Sequence, residues 1–354
     1  MERKRDEKGG IKRRGHHQIE EVVCGIAGIW GSRDQTIARD MANAMRHRGP
    51  DDQTFYQSFT ESSHRPELTI AFNRLAILDP SPEGRHPAHK GEWKVWLNGC
   101  VYNYVELRAL CPEYEFKSSG DTGVVAALID KYGIDKAIPM LNGMFVIVAY
   151  NERTGDAYVV RDRYGIKPLY YTKAGNDIVF ASEIKGLLRH PGVKAEPNES
   201  GIGQWMTFQN IFRDETLLKT IVKLPKSTIW HLNSDTKTTY WSWGFYPVKM
   251  DYEDAVSRTR ELLIAAIKRQ LISDVPVVAW CSGGLDSSAI AAVAKVPILT
   301  CGYTDARYDE RPYAQLVAKR MGIPYDDIRL NEFAFWGMLD DTVLALEDLR
   351  VGPS

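Results

Sequence analysis

Seven consecutive residues, Ser282, Gly283, Gly284, Leu285, Asp286, Ser287 and Ser288, have the types and spacing to hold a phosphate. Successive glycines let backbone N–H groups converge on an anion, and a helix N-terminus adds positive potential. The three serines supply hydroxyl donors, and Asp286 offers a carboxylate to a Mg²⁺ ion bound to phosphates. The word is not a Walker A loop, which ends in Gly-Lys-Ser/Thr, and no G-x-S-x-G frame fits it. Taken alone it also describes a glycine-rich turn from strand to helix with no ligand. A second residue of interest is Cys24, which ends a charged leader and opens "CGIAGIWG". A lone cysteine before a strand is most often a small buried hydrophobe.

The elements that must position these residues fall into two rhythms. From Cys24 to about Asn233, short apolar runs are broken by Gly, Pro and Asn. "CGIAGIWG", "LTIAFNRLAILD", "EWKVWLNGCVYN", "MFVIVAYNERTGDAYVVRDRYG", "KPLYYTK" and "DIVFASE" read as strands. "NERTG" reads as a hairpin turn with Gly155 at positive φ. "TIARDMANAMRH" and "DTGVVAALIDKYG" have helical spacing, the latter with Gly133 as C-cap. Many strands and few helices predict stacked sheets covered by helices. After a polar and aromatic linker at 234–251, strands alternate with helices: "YEDAVSRTRELLIAAIKRQL", "VPVVAW", "SSAIAAVAK", "PILTCGY", "DERPYAQLVAKRMG" and "YDDIRL". That alternation predicts a parallel, doubly wound sheet that presents 282–288 between its first strand and the following helix.

With 354 residues the chain has room for two or three domains. A formal charge of −1 points neither to nucleic acid nor to a membrane surface, and the longest apolar runs are too short to span a bilayer. The five cysteines are odd in number and form no CxxC pair, so neither a disulfide framework nor a zinc site is expected, and a reducing cytoplasm is. The leader carries seven Lys/Arg against three acids without an apolar core, which excludes a secretory signal.

The order of words changes the reading of both sites. "SGGLDSS" behind a strand and before a helix resembles the pyrophosphate loop of ATP pyrophosphatases. "CGIAGIWG", "MRHRGPDD", "NRLAILD", "LNGCVYNY", "SSGDTG", "GMFVIVAY", "RDRYGIKPLYY" and "FASEIKGLL" follow one another as in class II glutamine amidotransferases. Together, over about residues 24 to 350, they resemble glutamine-hydrolysing asparagine synthetases. The resemblance implies an α+β N-terminal domain, an Ntn-hydrolase αββα sandwich of antiparallel sheets, at 24–233. It implies the N-terminal part of an α/β doubly wound ATP pyrophosphatase domain at 252–354, C-terminally incomplete.

In that family the cysteine is the first residue of the mature chain. Its α-amine, with a pKa of ~7.7–8.0, is matched as a base to a thiol of ~8.5. The activated thiol attacks the glutamine carboxamide, giving a thioester and ammonia. The resemblance makes Cys24 the nucleophile, with the Asn98 side chain and the Gly99 N–H as oxyanion hole. Arg74 would clamp the glutamine α-carboxylate, Asp121 would meet the α-ammonium, and Leu75, Ile77 and Leu78 would shape the pocket. ATP and Mg²⁺ are the implied cofactors, with residues 282–288 on the pyrophosphate and Asp286 reaching the metal through ATP. Cys100 stands where relatives usually have Glu, which removes a contact to the ammonium; Gly123 also replaces a usual Glu. Trp280 stands where relatives carry a smaller aliphatic residue near the adenine. "RHRGPDD" and "RDRYGIKPLYY" read as structural.

The expected reaction joins ATP, aspartate and glutamine to give AMP, pyrophosphate, asparagine and glutamate. Aspartate attacks the α-phosphorus, and ammonia then displaces AMP. Residues 1–23 would acylate the Cys24 nitrogen, so the leader is expected to be removed or never translated, a start at Val23 being favoured. The chain holds the glutamine half and the opening of the ATP half, and is not expected to make asparagine alone. A homodimer, or a separate polypeptide with the remaining half, would fit as partner. Two alternatives stay open: an amidotransferase of the same build acting on another carboxylate, and a degenerate binding protein without turnover.

Overall fold

The structure, a computed structural model, describes residues 23–32, 34–59 and 67–347; the basic leader lies outside them. The first unit contains strands β1 (Gly25–Gly31), β2 (Asp52–Gln57), β3 (Glu67–Arg74), β4 (Ala88–Lys90), β5 (Trp93–Val101), β6 (Gly143–Asn151), β7 (Ala157–Arg161), β8 (Tyr170–Ala174), β9 (Asp177–Ala181), β10 (Val222–Lys223), β11 (Thr228–His231) and β12 (Thr236–Thr239). Its helices are α1 (Gln35–Ala44), α2 (Tyr104–Arg108), α3 (Thr122–Tyr132), α4 (Ile134–Met140), α5 (Ile184–Leu187) and α6 (Glu199–Phe208). Two six-stranded antiparallel sheets result, in the orders β10-β8-β9-β1-β3-β2 and β12-β11-β7-β6-β5-β4.

The period of two along each strand decides the layers. Ile26 and Trp30 of β1 meet Ile70 and Phe72 of β3, Trp96 of β5, Val146 and Val148 of β6, and Trp230 of β11 between the sheets. Ala27 and Ile29 face the other way, against Ala38, Met41 and Ala42 of α1 and Leu187 of α5. The outer face of the second sheet, with Val95, Leu97 and Ile147, is covered by Val125, Leu128 and Ile129 of α3 and Ile138 of α4. The order helix, sheet, sheet, helix is the αββα sandwich that the resemblance implies. Covered on both faces, β1 can be apolar throughout, which is why "GIAGIWG" does not alternate.

The hairpin at "NERTG" and the C-cap at Gly133 form as expected, with φ +75 at Gly155 and +76 at Gly133. Two strands are shorter than their apolar runs. β3 stops at Arg74, and "LAILD" becomes a turn, because Asp79 takes a left-handed φ of +46 and its carboxylate collects the Ser81 and Ser119 N–H groups. "VPVVAW" contributes only Ala279–Trp280, since Ser273 closes a local turn with Val275 on both backbone groups. The segment 234–251 opens with β12, which pairs with β11.

The second unit starts with α7 (Tyr252–Gln270), followed by β13 (Ala279–Trp280), α8 (Leu285–Ala294), β14 (Ile298–Tyr303), α9 (Arg311–Met321), β15 (Tyr325–Leu330), α10 (Glu332–Gly337) and α11 (Leu339–Leu346). Its strands are parallel in the order β13-β14-β15. Its core is small: Cys281, Ala291, Ile298, Ala314 and Ala318. Among the described residues no helix is long and apolar enough to cross a membrane.

Gly28 tests the sandwich. A Cβ there would lie 2.1 Å from Cζ of Phe180 and 2.8 Å from Cδ1 of Ile70. Gly28→Ala should lower stability by about 1–3 kcal/mol, the range for overpacking a close-packed interior. Urea unfolding followed by circular dichroism checks it, and an unchanged midpoint would contradict the close approach of β1, β3 and β9.

Candidate active site

The register of β1 on β3 pairs Gly25 with Asn73, which sets Cys24 beside the turn that follows Arg74. Leu75 then brackets the sulfur: its N–H donates to Cys24 Sγ at 3.3 Å, and its carbonyl accepts from the thiol at 3.6 Å. The carbonyl of Cys24 accepts from Arg48 Nε at 3.1 Å, and Arg48 Nη1 pairs with Glu183 at 2.8 Å in a buried ion pair. His47, Arg48 and Lys185 hold the Glu183 carboxyl down at about 2 despite its burial. Desolvation pushes the Cys24 thiol above its ordinary pKa, against the Leu75 N–H and the positive charges of Lys167, Arg74 and Arg48. The sulfur is neutral at pH 7 and needs a base.

Cys24 opens onto a cavity of about 320 Å³ that also contains Arg74, Leu75, Ile77, Leu78, Asn98, Gly99, Cys100, Asp121 and Gly123. The fold therefore brings together every residue of the expected glutamine site. Asn98 is fully buried; its Nδ2 donates to Ser182 Oγ at 3.2 Å, while Oδ1 has no partner among the described residues. Ser182 Oγ already accepts from the Ile26 N–H at 3.0 Å, so its own proton is free to donate. A half-turn of the amide lets Oδ1 accept that proton and frees Nδ2, the group expected from the sequence as an oxyanion donor. Gly99 pairs with Phe145 of β6. Phe145 gives both backbone groups to Asp162 on the far side, so the antiparallel pattern turns the Gly99 N–H away from β6. It lies on the same side as the Val101 N–H, which donates to Asp121 at 2.8 Å.

Asp121 is buried, and desolvation raises its carboxyl to about 6 even though the Val101 N–H and the Thr122 hydroxyl favour its charged form. Cys100 is pushed up to about 12 by burial and by Asp121, so it stays a neutral thiol. A Cβ on Gly123 would meet only ordinary contact, Phe116 at 3.8 Å, so nothing in the packing demands glycine there.

Arg74 is held at the cavity wall by backbone carbonyls. Its guanidinium donates to the carbonyls of Leu78 and Ser81, each at 3.3 Å, and to that of Asp79, fastening the 75–81 turn. No described carboxylate pairs with it, so its charge faces the cavity uncompensated by an acid of this kind.

Several contributors carry no local signal. His86 stacks on Phe72 at 4.3 Å between ring centroids, and its Nε2 meets Thr122 Oγ1 at 3.0 Å. Burial, with help from Arg74, takes it down to about 3, so it lines the cavity as a neutral ring with Nδ1 unpartnered among the described residues. Ser182 and Lys167 join it. Lys167 is delivered by Asp162, whose carboxylate collects the N–H groups of Phe145, Tyr164, Ile166 and Lys167. The words "RHRGPDD" and "RDRYGIKPLYY" thus place Arg48 and Lys167 around the sulfur.

The phosphate word sits apart, between β13 and α8. Gly283 has φ +85, and a Cβ there would lie 2.3 Å from Cβ of Tyr313, so only glycine fits against α9. Ser282 Oγ accepts from the Gly284 N–H and meets Ser287 Oγ at 3.1 Å. The Ser288 hydroxyl is buried and unpartnered among the described residues. A glycine cradle, an orphaned hydroxyl and a free helix N-terminus fit a polyphosphate. Asp286 is exposed in the first turn, where a phosphate-bound Mg²⁺ would be reached. Among the described residues no group of His, Cys, Asp and Glu could hold a metal unaided.

A family model described as a glutamine amidotransferase domain matches residues 23–243, and one described as asparagine synthase matches residues 258–354. The chain is 29% identical to a putative asparagine synthetase [glutamine-hydrolyzing] 2 of Methanocaldococcus jannaschii, over 90% of this chain and 67% of that one. It is 29% identical to asparagine synthetase [glutamine-hydrolyzing] 1 of Bacillus subtilis, over 85% of this chain and 49% of the relative. Against asparagine synthetase [glutamine-hydrolyzing] 2 of that organism it is 31% identical, over 85% and 43%. The chain thus spans about half to two thirds of the length of these relatives. A solved glutamine phosphoribosylpyrophosphate amidotransferase from B. subtilis superposes with a TM-score of 0.45 at 17% identity, covering 86% of this chain and 65% of that chain.

The desolvated sulfur has a direct readout. With Val23 attached, alkylation of Cys24 by iodoacetamide should rise with pH to a midpoint above the ~8.5 of an ordinary thiol. Mass spectrometry of the Cys24 peptide measures it; a midpoint below that value would contradict the burial.

Proposed function

The chain belongs to the asparagine-synthetase-like glutamine amidotransferases, and from that premise we propose that it hydrolyses glutamine at Cys24 to supply ammonia to an ATP-dependent amide synthesis. One observation carries the reading: the sulfur, the amide of Asn98, the Gly99 N–H, Arg74 and Asp121 all line one cavity. Each has the charge or hydrogen-bonding group that one part of glutamine requires.

Glutamine enters with its α-carboxylate toward the positive charge of Arg74 and its α-ammonium toward Asp121. The thiol gives its proton to the α-amine of Cys24, and the sulfur attacks the side-chain carbonyl carbon. The developing oxyanion is held by Asn98 Nδ2 and the Gly99 N–H. The amine returns the proton to the leaving nitrogen, the C–N bond breaks, and ammonia departs. Water, deprotonated by the same amine, then cleaves the thioester to glutamate and restores the thiol. The scheme requires a free Cys24 nitrogen, so residues 1–23 must be absent from the active form. With Cys100 a neutral thiol, Asp121 is the one buried carboxylate lining the cavity among the described residues, and it is left to meet the ammonium.

At the second site, residues 282–288 are suited to hold the pyrophosphate end of ATP, and Mg²⁺ would screen its charge there within reach of Asp286. Aspartate is the acceptor carboxylate that the relatives' names favour, giving asparagine. The amino-acid ligands and ATP point to the cytoplasm, and the relatives named asparagine synthetase are longer than this chain. The unpartnered Ser288 hydroxyl and the Gly283 cradle support a polyphosphate ligand over a bare turn.

The test compares the chain beginning at Cys24, the 354-residue chain and Cys24→Ala. Glutamate release should appear in the first and fall at least about a thousandfold in the other two, the scale of losing a nucleophile or its base. On the acid side kcat/KM should fall as pH drops below the ~7.7–8.0 of the α-amine, which acts as a base only when neutral, and fall more steeply below about 6, where Asp121 also becomes neutral. Equal activity with and without the leader would overturn the amine's role.

A further inference from the structure

The cavity over Cys24 is not built by the first unit alone. Gln270 at the end of α7 and Ile272, Ser273, Val275, Pro276 and Val277 from the segment between α7 and β13 complete its wall. Asp274, within that segment, makes the link. Its N–H donates to the Ile77 carbonyl at 3.0 Å, and its Oδ2 accepts from the Asp79 N–H at 2.7 Å. Both partners belong to the turn that starts at Leu75, the residue that brackets the sulfur. Asp79 holds a left-handed backbone, unfavourable for a residue with a Cβ, and such a conformation persists only where partners over-determine it. Its carbonyl is taken by Arg74, its carboxylate by Ser81, Ser118 and Ser119, and its N–H by Asp274. The contact from the second unit is therefore the one that comes from outside the first.

We propose that Asp274 is a positioning residue for the Cys24 cavity: it holds the Leu75–Asp79 turn closed from across the domain boundary and makes the donor pocket a two-domain site. This deepens the reading of the cavity as the glutamine site and rests on that reading for the ligand alone. The same segment runs directly into β13 and then into Ser282–Ser288, so the wall of one site is the lead-in to the other. Asp274 makes no hydrogen bond to the sulfur, Asn98 or Asp121, so removing its carboxylate acts on the site through the turn.

The experiment uses the 354-residue chain, because labelling of a thiol needs no free amine. Cys24 labelling by iodoacetamide and by the bulky fluorescein maleimide is followed by mass spectrometry in the wild type, Asp274→Ala and Asp274→Asn. Asp274→Ala should raise the rate with the bulky reagent about tenfold, the scale of one lost hydrogen bond to a charged group. The rate with iodoacetamide should stay within about twofold, and Asp274→Asn, which keeps an acceptor oxygen, should stay near the wild type. Bulky labelling of Asp274→Ala at the wild-type rate, or of Asp274→Asn as fast as Asp274→Ala, overturns the proposal. Should Asp274→Ala fail to fold, Asp274→Ser is read in its place. In the chain beginning at Cys24, Asp274→Ala should raise KM for glutamine with kcat within about twofold. Absence of any glutaminase in the wild type would overturn the glutamine reading, while the labelling still decides the role of Asp274.

Discussion

The structure turns on one desolvated sulfur. Burial holds the Cys24 thiol neutral, although Lys167, Arg74 and Arg48 all pull toward the thiolate. A neutral thiol in a closed pocket attacks nothing unless a base takes its proton, and an α-amine on the same residue is the base that requires no further chain. In the chemistry we propose, whatever fixes the backbone of Cys24 fixes nucleophile and base together. Arg48 does so at the carbonyl, Leu75 at the sulfur, and the register of β1 on β3 sets both.

Around that point the buried charges form a connected frame. Arg48 is neutralised by Glu183, which also meets His47 and Lys185, and Lys185 reaches Glu347 at the end of α11. Removing one member of such a pair strands the other, a loss of about 3–5 kcal/mol. Glu347 also accepts from the Lys185 N–H at 2.7 Å, so the second unit touches the first here as well as at Asp274. The two contacts lie on opposite neighbours of Cys24: one behind Arg48, the other over Leu75. The placement of Cys24 is thereby a property of both units.

Much of this was legible in the sequence because it is local. Short apolar runs broken by Gly, Pro and Asn marked the strands of the sandwich, and glycines marked the turns at 155 and 133. Alternating elements marked the parallel sheet that presents Ser282–Ser288. What was not legible depends on contacts distant along the chain. "NRLAILD" is apolar enough for a strand to its end; the strand stops because Asp79 gathers partners from 118, 119 and 274. The resemblance implied Arg74 as a clamp on a carboxylate, but not that the carbonyls of Leu78, Asp79 and Ser81 would hold its guanidinium, because that turn has no signature of its own in the word. Ser182 could be matched to Asn98 only by pairing β9 with β1 and packing that sheet on the one that holds β5. His86 has no pattern, and only its burial against Phe72 and Thr122 shows what it does. α6 and α11, amphipathic but short, gave no rhythm to separate them from loop.

The most direct measurement is covalent trapping with a glutamine analogue bearing a diazoketone in place of the carboxamide, read by peptide mass mapping. A sulfur activated by its own amine should give one adduct, on Cys24 and not on the neighbouring Cys100, in protein whose Cys24 nitrogen is free, and excess glutamine should block it. Equal trapping when that nitrogen is acylated, or an adduct carried by Cys100, would contradict the chemistry assigned to this pocket.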